Sequence, residues 1–542
     1  MKNIRDFFDK AKEKGAINYE DEESALKNTI KIFDKADTLL NKAILDKNKT
    51  LKDKISNGQI DYSYISKAFI SENFGGTVFK RPVVDLVQQG GGMHGIALLG
   101  YTYIMEKIGV RFYSHGGTSA GAINATFLAA ISNDIYKEKS VFTDVKKIRQ
   151  ATKSEMLTHI IVNTSFGNFM GRKGIIGWFQ SKIFKNRKIV KNILIFISLL
   201  FLALAYSFFG FFFSEKNGLN GHELRFYDLI IGTLNVFALL ILAYILLVKM
   251  LGDKFGINSG KEFYNWADTL LTLLKVYDTE QLDTQLCTIK IEKNTAIANT
   301  NKDNPHCDPR LVLITSNLTH NRLVKFPEEA GDYWSNSRKI KPAAYLRATM
   351  SLPFIFKAFI PSIEHYKSRK QNDKVIMEAR FVDGGMLSNF PIREFHRKDN
   401  NLPLFPTFGI LLSKIGNSED LAKKETNLSK KDSKINTSRK LKQIKLLEYI
   451  ASFFKTFRSF YDSDFILNNK EIKNRVVLIK TEIDKNKPNG EHFNWLDFWM
   501  DKKTQKKLFL RGAEAAIEQI DKFNWNEYIE VRKELLKTLS DD

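Results

Sequence analysis

The chain has 542 residues and twice repeats one local order: a short apolar run, a glycine turn, then a helix-forming stretch. Pro82 to Gln89 is mostly apolar and ends in Gly90-Gly91-Gly92, with a helical pattern from Gly95 to Ile108. Val110 to Ser114 then leads into Gly116-Gly117-Thr118-Ser119-Ala120-Gly121 and a helix through Ile131. Such runs read as strands buried on both faces, and their alternation with helices is the order of an α/β fold with a mainly parallel sheet. Strand-like runs recur at Cys287 to Ile291, Leu311 to Thr315, Ala379 to Val382, Phe408 to Leu412 and Arg475 to Ile479.

A second feature interrupts this order. Ile193 to Phe213 and Leu229 to Val248 contain no charged residue. About 20 helical residues span the roughly 30 Å of a bilayer's hydrocarbon. One such run could be a buried soluble helix, but two joined by a polar loop predict a transmembrane hairpin. Lys182, Lys185, Arg187, Lys188 and Lys191 precede it and Lys249 and Lys254 follow it, whereas the loop holds only Lys216 and Arg225. Basic residues stay inside, so the α/β domain and both termini are expected on the cytoplasmic side. The predicted organisation is a helical N-terminal extension over 1–78 and a first segment of the α/β domain over 79–192. The hairpin covers 193–248 and a second segment of that domain 249–523, with a flexible basic insertion at 414–445. A tail fills 524–542. The N-terminus lacks the apolar core of a signal peptide.

The formal charge is +22, which favours a polyanion. No nucleic-acid module is visible, so an anionic membrane surface is the expected partner and nucleic acid is not. Cys287 and Cys307 lack metal-ligand spacing, and no metal or cofactor is expected.

Three turns carry chemistry. Gly117-Thr118-Ser119-Ala120-Gly121 is a G-x-S-x-G sequence between strand and helix, the pattern that projects a nucleophilic serine from a tight turn. Gly90-Gly91-Gly92-Met93-His94-Gly95 also joins strand to helix, and its backbone N–H groups can face an anion. The dinucleotide fingerprint matches at 90, 92 and 95. The acid expected about 20 residues on is missing, because Glu106 lies too near. An oxyanion hole beside the serine is the favoured reading. Asp383-Gly384-Gly385 ends a strand; alone it reads as an Asx turn, but beside the other two it offers a base. His396 and His492 follow Asp383 in the chain, so a Ser-His-Asp esterase of soluble esters stays open, as does a non-catalytic membrane scaffold. His115 is expected in the core.

These three motifs in this order resemble the patatin-like phospholipases. Ala348-Thr-Met-Ser-Leu-Pro353-Phe-Ile-Phe356, Leu311 to Phe326 and Phe509 to Ala516 agree with that family too. The likeness covers about residues 80 to 185 and 255 to 520. It implies a three-layer α/β/α sandwich, a Ser119–Asp383 dyad, an acyl-serine intermediate and lipid esters as substrates. The chain departs from the family pattern at His94, where Arg or Lys is usual, and at Gln89, where Asp is common. A free histidine titrates near 6.5, so the loop's charge is expected to depend on pH.

Overall fold

The computed structural model describes residues 4–46, 49–143, 149–170, 256–293, 309–361, 379–396, 402–412, 469–483 and 492–540, with single positions within 232–244 and 462–466. The apolar run before Gly90 is the second half of β2 (Thr77–Gln88), which follows β1 (Ala68–Phe74). The second run continues through its glycines as β3 (Arg111–Thr118). Further strands are β4 (Leu311–Asn317), β5 (Arg322–Phe326), β6 (Phe381–Asp383), β7 (Thr407–Leu411) and β8 (Val476–Leu478). The sheet runs β6-β4-β3-β2-β7-β8. From β4 to β8 all neighbours are parallel, while β6 is antiparallel to β4. β1 pairs antiparallel with the first half of β2, so the sheet begins upstream of residue 79. β5 pairs antiparallel with β4.

Both sheet faces are buried, which is why the strands read as continuous apolar runs. Val84, Leu86, Phe112, Leu313 and Ile410 enter the main core. Val87, Val312 and Ile314 face the other way, under Phe390, Ile392 and Phe395. On the main side lie α3 (Gly95–Lys107), α4 (Ala120–Ala130), α5 (Lys153–Val162) and α8 (Lys502–Lys522), numbered after α1 (Ile4–Glu13) and α2 (Glu22–Leu45) and with α6 (Lys261–Leu273) and α7 (Pro342–Thr349) between. α3 and α8 cross at two glycines. A Cβ on Gly100 would overlap the Phe509 carbonyl, and one on Gly512 would overlap that of Ala97.

The N-terminal helices belong to this body. Phe33 of α2 stacks on Tyr103 with ring centres 4.5 Å apart, and Lys107 Nζ donates to Asp37 at 2.7 Å. Lys54 Nζ donates to the carbonyls of Ile520, Asp521 and Phe523, closing the otherwise unsatisfied end of α8. Residues Trp525–Ser540, read from sequence as a tail, form a further helix that buries Trp525 and Ile529. Cys287 to Ile291 is not a strand. Asp278 caps a helix over Thr279–Leu286 and Cys287 ends it, so only Glu292–Lys293 pair, with β1. A short apolar run cannot by itself tell a strand from a helix end.

Among the described residues no helix is long and apolar enough to cross a membrane. The run 193–213 and the basic insertion 414–445 lie outside those residues, as does about half of 229–248. The described part of that second run is helical and exposes Leu234, Phe237, Leu240 and Tyr244.

Two core histidines make acid stability testable. His115 packs in β3 as expected, and burial, aided by nearby Lys153, lowers its pKa to about 3. His159 of α5 is buried against Phe8, its Nδ1 is 2.9 Å from Thr29 Oγ1, and burial with nearby Lys502 lowers its pKa to about 3. Below the ordinary value of about 6.5 the unfolded chain binds protons that the folded state refuses. Stability should therefore be full above that value and fall as pH drops towards 3. Each histidine contributes a slope of about 1.4 kcal/mol per pH unit in that window. Urea unfolding at a series of pH values should show His159→Gln losing part of this slope.

Candidate active site

The elbow is built by glycines that let main chains touch. A Cβ on Gly117 would overlap the Gly121 carbonyl, and one on Gly121 would overlap the Gln88 carbonyl at the end of β2. Between them Ser119 has φ 53° and ψ −118°, a region that residues with a Cβ avoid at a cost of about 1–3 kcal/mol. Its surroundings hold it there. The Ser119 N–H donates to Thr349 Oγ1 at 3.0 Å, and the Thr349 hydroxyl donates to the Ile314 carbonyl at 2.5 Å. The Ser119 carbonyl accepts from Ile123 N–H at 3.1 Å, starting α4. The serine is 2% exposed, and its hydroxyl donates to Met350 Sδ at 3.2 Å.

The glycine loop after β2 lies against this turn. A Cβ on Gly90 would sit 3.1 Å from Ser119 Cβ, and one on Gly95 would sit 2.8 Å from Ala120 Cβ. Most of its amides are committed to its own shape. Gly90 N–H donates to Asn389 O at 3.0 Å, Met93 N–H to Trp495 O at 2.9 Å and His94 N–H to Gly91 O at 3.1 Å. Gly95 N–H turns back to the carbonyls of Gly92 and Met93. Among the described residues no protein acceptor takes the amides of Gly91 and Gly92. Gly92 has φ 54°, and a Cβ there would overlap Trp495.

The third turn arrives through sheet register. Thr118 pairs with Ile314 across β3 and β4, and Asp383 pairs with Thr315 across β4 and β6. β5 takes the other edge of β4 over these same residues, so β3 and β6 share one edge of β4 end to end, and Ser119 and Asp383 lie on the same side of it where the two strands meet. A Cβ on Gly384 would meet Thr118 Cγ2 at 3.0 Å, so the two turns touch. Asp383 is buried, its N–H donates to Ser351 O at 2.9 Å, and its Oδ1 accepts from Gly385 N–H at 2.8 Å.

The structure corrects the reading of His94. The ring is buried, and its Nε2–H donates to the Phe493 carbonyl at 2.7 Å. Burial lowers its pKa to about 4, against the opposing pull of that carbonyl. It braces the loop as a neutral ring and carries no charge near pH 6.5. The two histidines that follow Asp383 in the chain have neighbours of their own. His396 stands edge-on to Phe465 at 5.2 Å, and His492 Nδ1 is 3.0 Å from Thr481 Oγ1.

Sequence reading missed the supports. Thr349 and Met350 fall in a stretch noticed only for its likeness, and Phe493 and Trp495 in one that carries no catalytic pattern. Nothing local in either stretch signals contact with Ser119 or Gly92. An apolar cavity of about 380 Å³, counted with its open side, lies between Gly92 and Ala120 and the side chains of Leu99, Ile123, Ile161 and Phe166.

Fold and site define an α/β protein with a strained serine on a tight strand-to-helix turn. The family model described as patatin-like phospholipase matches residues 86–396, and the chain belongs to that family. It is also similar to the uncharacterized protein YqhO of Bacillus subtilis (strain 168), 51% identical over 47 residues, which are 9% of this chain and 16% of that protein. A crystal structure of VipD from Legionella pneumophila aligns over 86% of this chain and 72% of that one, with 13% identity and a TM-score of 0.29.

A neutral His94 has a kinetic consequence. Between about pH 5 and 8 the pH profile of ester hydrolysis should overlay in wild type and His94→Asn. A wild-type inflection near 6.5 that the variant lacks would overturn this assignment.

Proposed function

We propose that this protein is a membrane-associated lipid acyl hydrolase that cleaves carboxylic esters through Ser119 and Asp383. The observation that carries the reading is the packing of three turns round one strained serine. The amides of Gly91 and Gly92 remain as donors, and the Asp383 turn abuts Thr118.

The cycle follows from these groups. A lipid ester carbonyl sits against the Gly91 and Gly92 amides. Ser119 Oγ turns from Met350 towards Asp383, gives up its proton there and attacks the carbonyl carbon. The amides stabilise the tetrahedral oxyanion, each donor contributing about 3 kcal/mol. Collapse breaks the C–O bond, and the alcohol or lysolipid leaves with the proton from Asp383. Water, deprotonated by Asp383, attacks the acyl-Ser119; the acyl–Oγ bond breaks, Ser119 Oγ takes the proton back from Asp383, and a fatty acid departs. The apolar cavity beside Gly92 and Ala120 suits the acyl chain. A direct dyad is favoured over a histidine triad because His396 and His492 have the other surroundings given above.

The membrane part of the proposal rests on the two uncharged runs. The exposure of Leu234, Phe237, Leu240 and Tyr244 on helical positions of the second supports it. A three-layer sandwich interrupted by a hairpin would keep the two hydrolase segments on one side of the bilayer and bring the site to its substrate.

Two measurements test these claims. On a panel of phospholipids and lysophospholipids, Ser119→Ala and Asp383→Asn should each lose roughly 10³-fold or more in kcat. A loss of that size in His396→Ala or His492→Ala instead would favour the triad. For topology, Asn220→Cys in a chain with Cys287 and Cys307 replaced by Ser should react with an impermeant thiol reagent applied outside the cell. Protection there, with labelling of a cysteine at Lys185, would reverse the orientation.

A further inference from the structure

One buried carboxylate outside the three motifs touches the framework of the site. Asp462 is 4% exposed. Its Oδ1 accepts from the Ser388 hydroxyl at 2.6 Å, and its Oδ2 accepts from the N–H groups of Asn389 at 2.7 Å and Phe390 at 2.8 Å. Hydrogen bonds to a charged acceptor are short and about twice as strong as neutral ones.

The segment it holds reaches both other turns. Asn389 Nδ2 donates to Gly90 O at 2.9 Å, and Gly90 N–H donates back to Asn389 O at 3.0 Å. Thr118 Oγ1 donates to Ser388 O at 3.1 Å. Residues 388–390 thus connect the root of the glycine loop, the residue before the nucleophile and the Asp383 turn.

We infer that Asp462 is a positioning residue for the hydrolysis, fixing the glycine loop and the elbow relative to each other through Ser388 and Asn389. The inference rests on the proposed function of Ser119, which Asp462 does not touch. In the absence of this carboxylate the two amides and the hydroxyl lose a shared anchor. Gly90 then drifts from Asn389, and the Gly91 and Gly92 donors lose their aim. Displacements of about 1 Å at a distance from the chemistry can cost about 10²-fold in rate.

Asp462→Asn in the full chain tests this, because it keeps the side-chain shape and removes the charge that strengthens all three hydrogen bonds. Ester turnover should fall roughly tenfold or more in kcat with KM within about twofold. Hydrogen exchange in a peptide containing Gly90, whose amide does not touch Asp462, should quicken while exchange in α3 stays unchanged. A folded variant with wild-type kcat, or with wild-type exchange at Gly90, overturns the inference, as does a change confined to KM. If wild type neither hydrolyses esters nor takes a fluorophosphonate on Ser119, the hydrolase reading fails by itself. Exchange at Gly90 then decides the coupling alone. If Asp462→Asn does not fold, Ser388→Ala decides: smaller changes in the same directions support the inference, and wild-type behaviour overturns it.

Discussion

The left-handed backbone at Ser119 is the constraint to which the rest of the site answers. A serine with φ 53° is stable only where neighbours over-determine it. Here the neighbours are main chains: Gly117 against Gly121, Gly121 against the end of β2, and Gly384 against Ile314 in the middle of β4. Glycine at each point is the physical condition for bringing strand ends this close. Thr349 completes the hold by linking the serine amide to a β4 carbonyl. Helix α4 starts at the serine itself, so the positive end of its dipole lies beside Ser119.

The sheet sets which turns can meet. Parallel strands place their following loops at one end, and ligands bind in that crevice. β6 runs the other way but is short, and its register with β4 sets Asp383 level with Thr315, beside Ile314 and Thr118. Asp383, Ser119 and the glycine loop are therefore brought together from far-apart stretches of chain.

Much of this was legible in the sequence because it is local. Strand, glycine turn and helix follow one another within a few residues, so the two turns around Gly90–Gly95 and Gly117–Gly121 could be read from spacing, and Asp383-Gly384-Gly385 from its place after an apolar run. What the sequence left hidden is tertiary. Burial decides that His94 is neutral, and no neighbour in sequence reports that Phe493 will accept its proton. Of the loop's six residues, register and Trp495 decide that Gly91 and Gly92 keep their amides. The N-terminal extension looked separable because its polar face is strong, yet Phe33 and Asp37 lock it onto α3. Cys287 to Ile291 had the composition of a strand but lies where a capped helix ends.

The central claim is that one hydroxyl becomes covalently acylated. Intact-protein and peptide mass spectrometry of wild type, acid-quenched after rapid mixing with a p-nitrophenyl ester, tests it most directly. A single acyl group on the peptide containing Ser119, absent in Ser119→Ala, is the predicted result. Product release from wild type with the acyl group on another residue, or a Ser119→Ala protein that acylates and turns over normally, would contradict it.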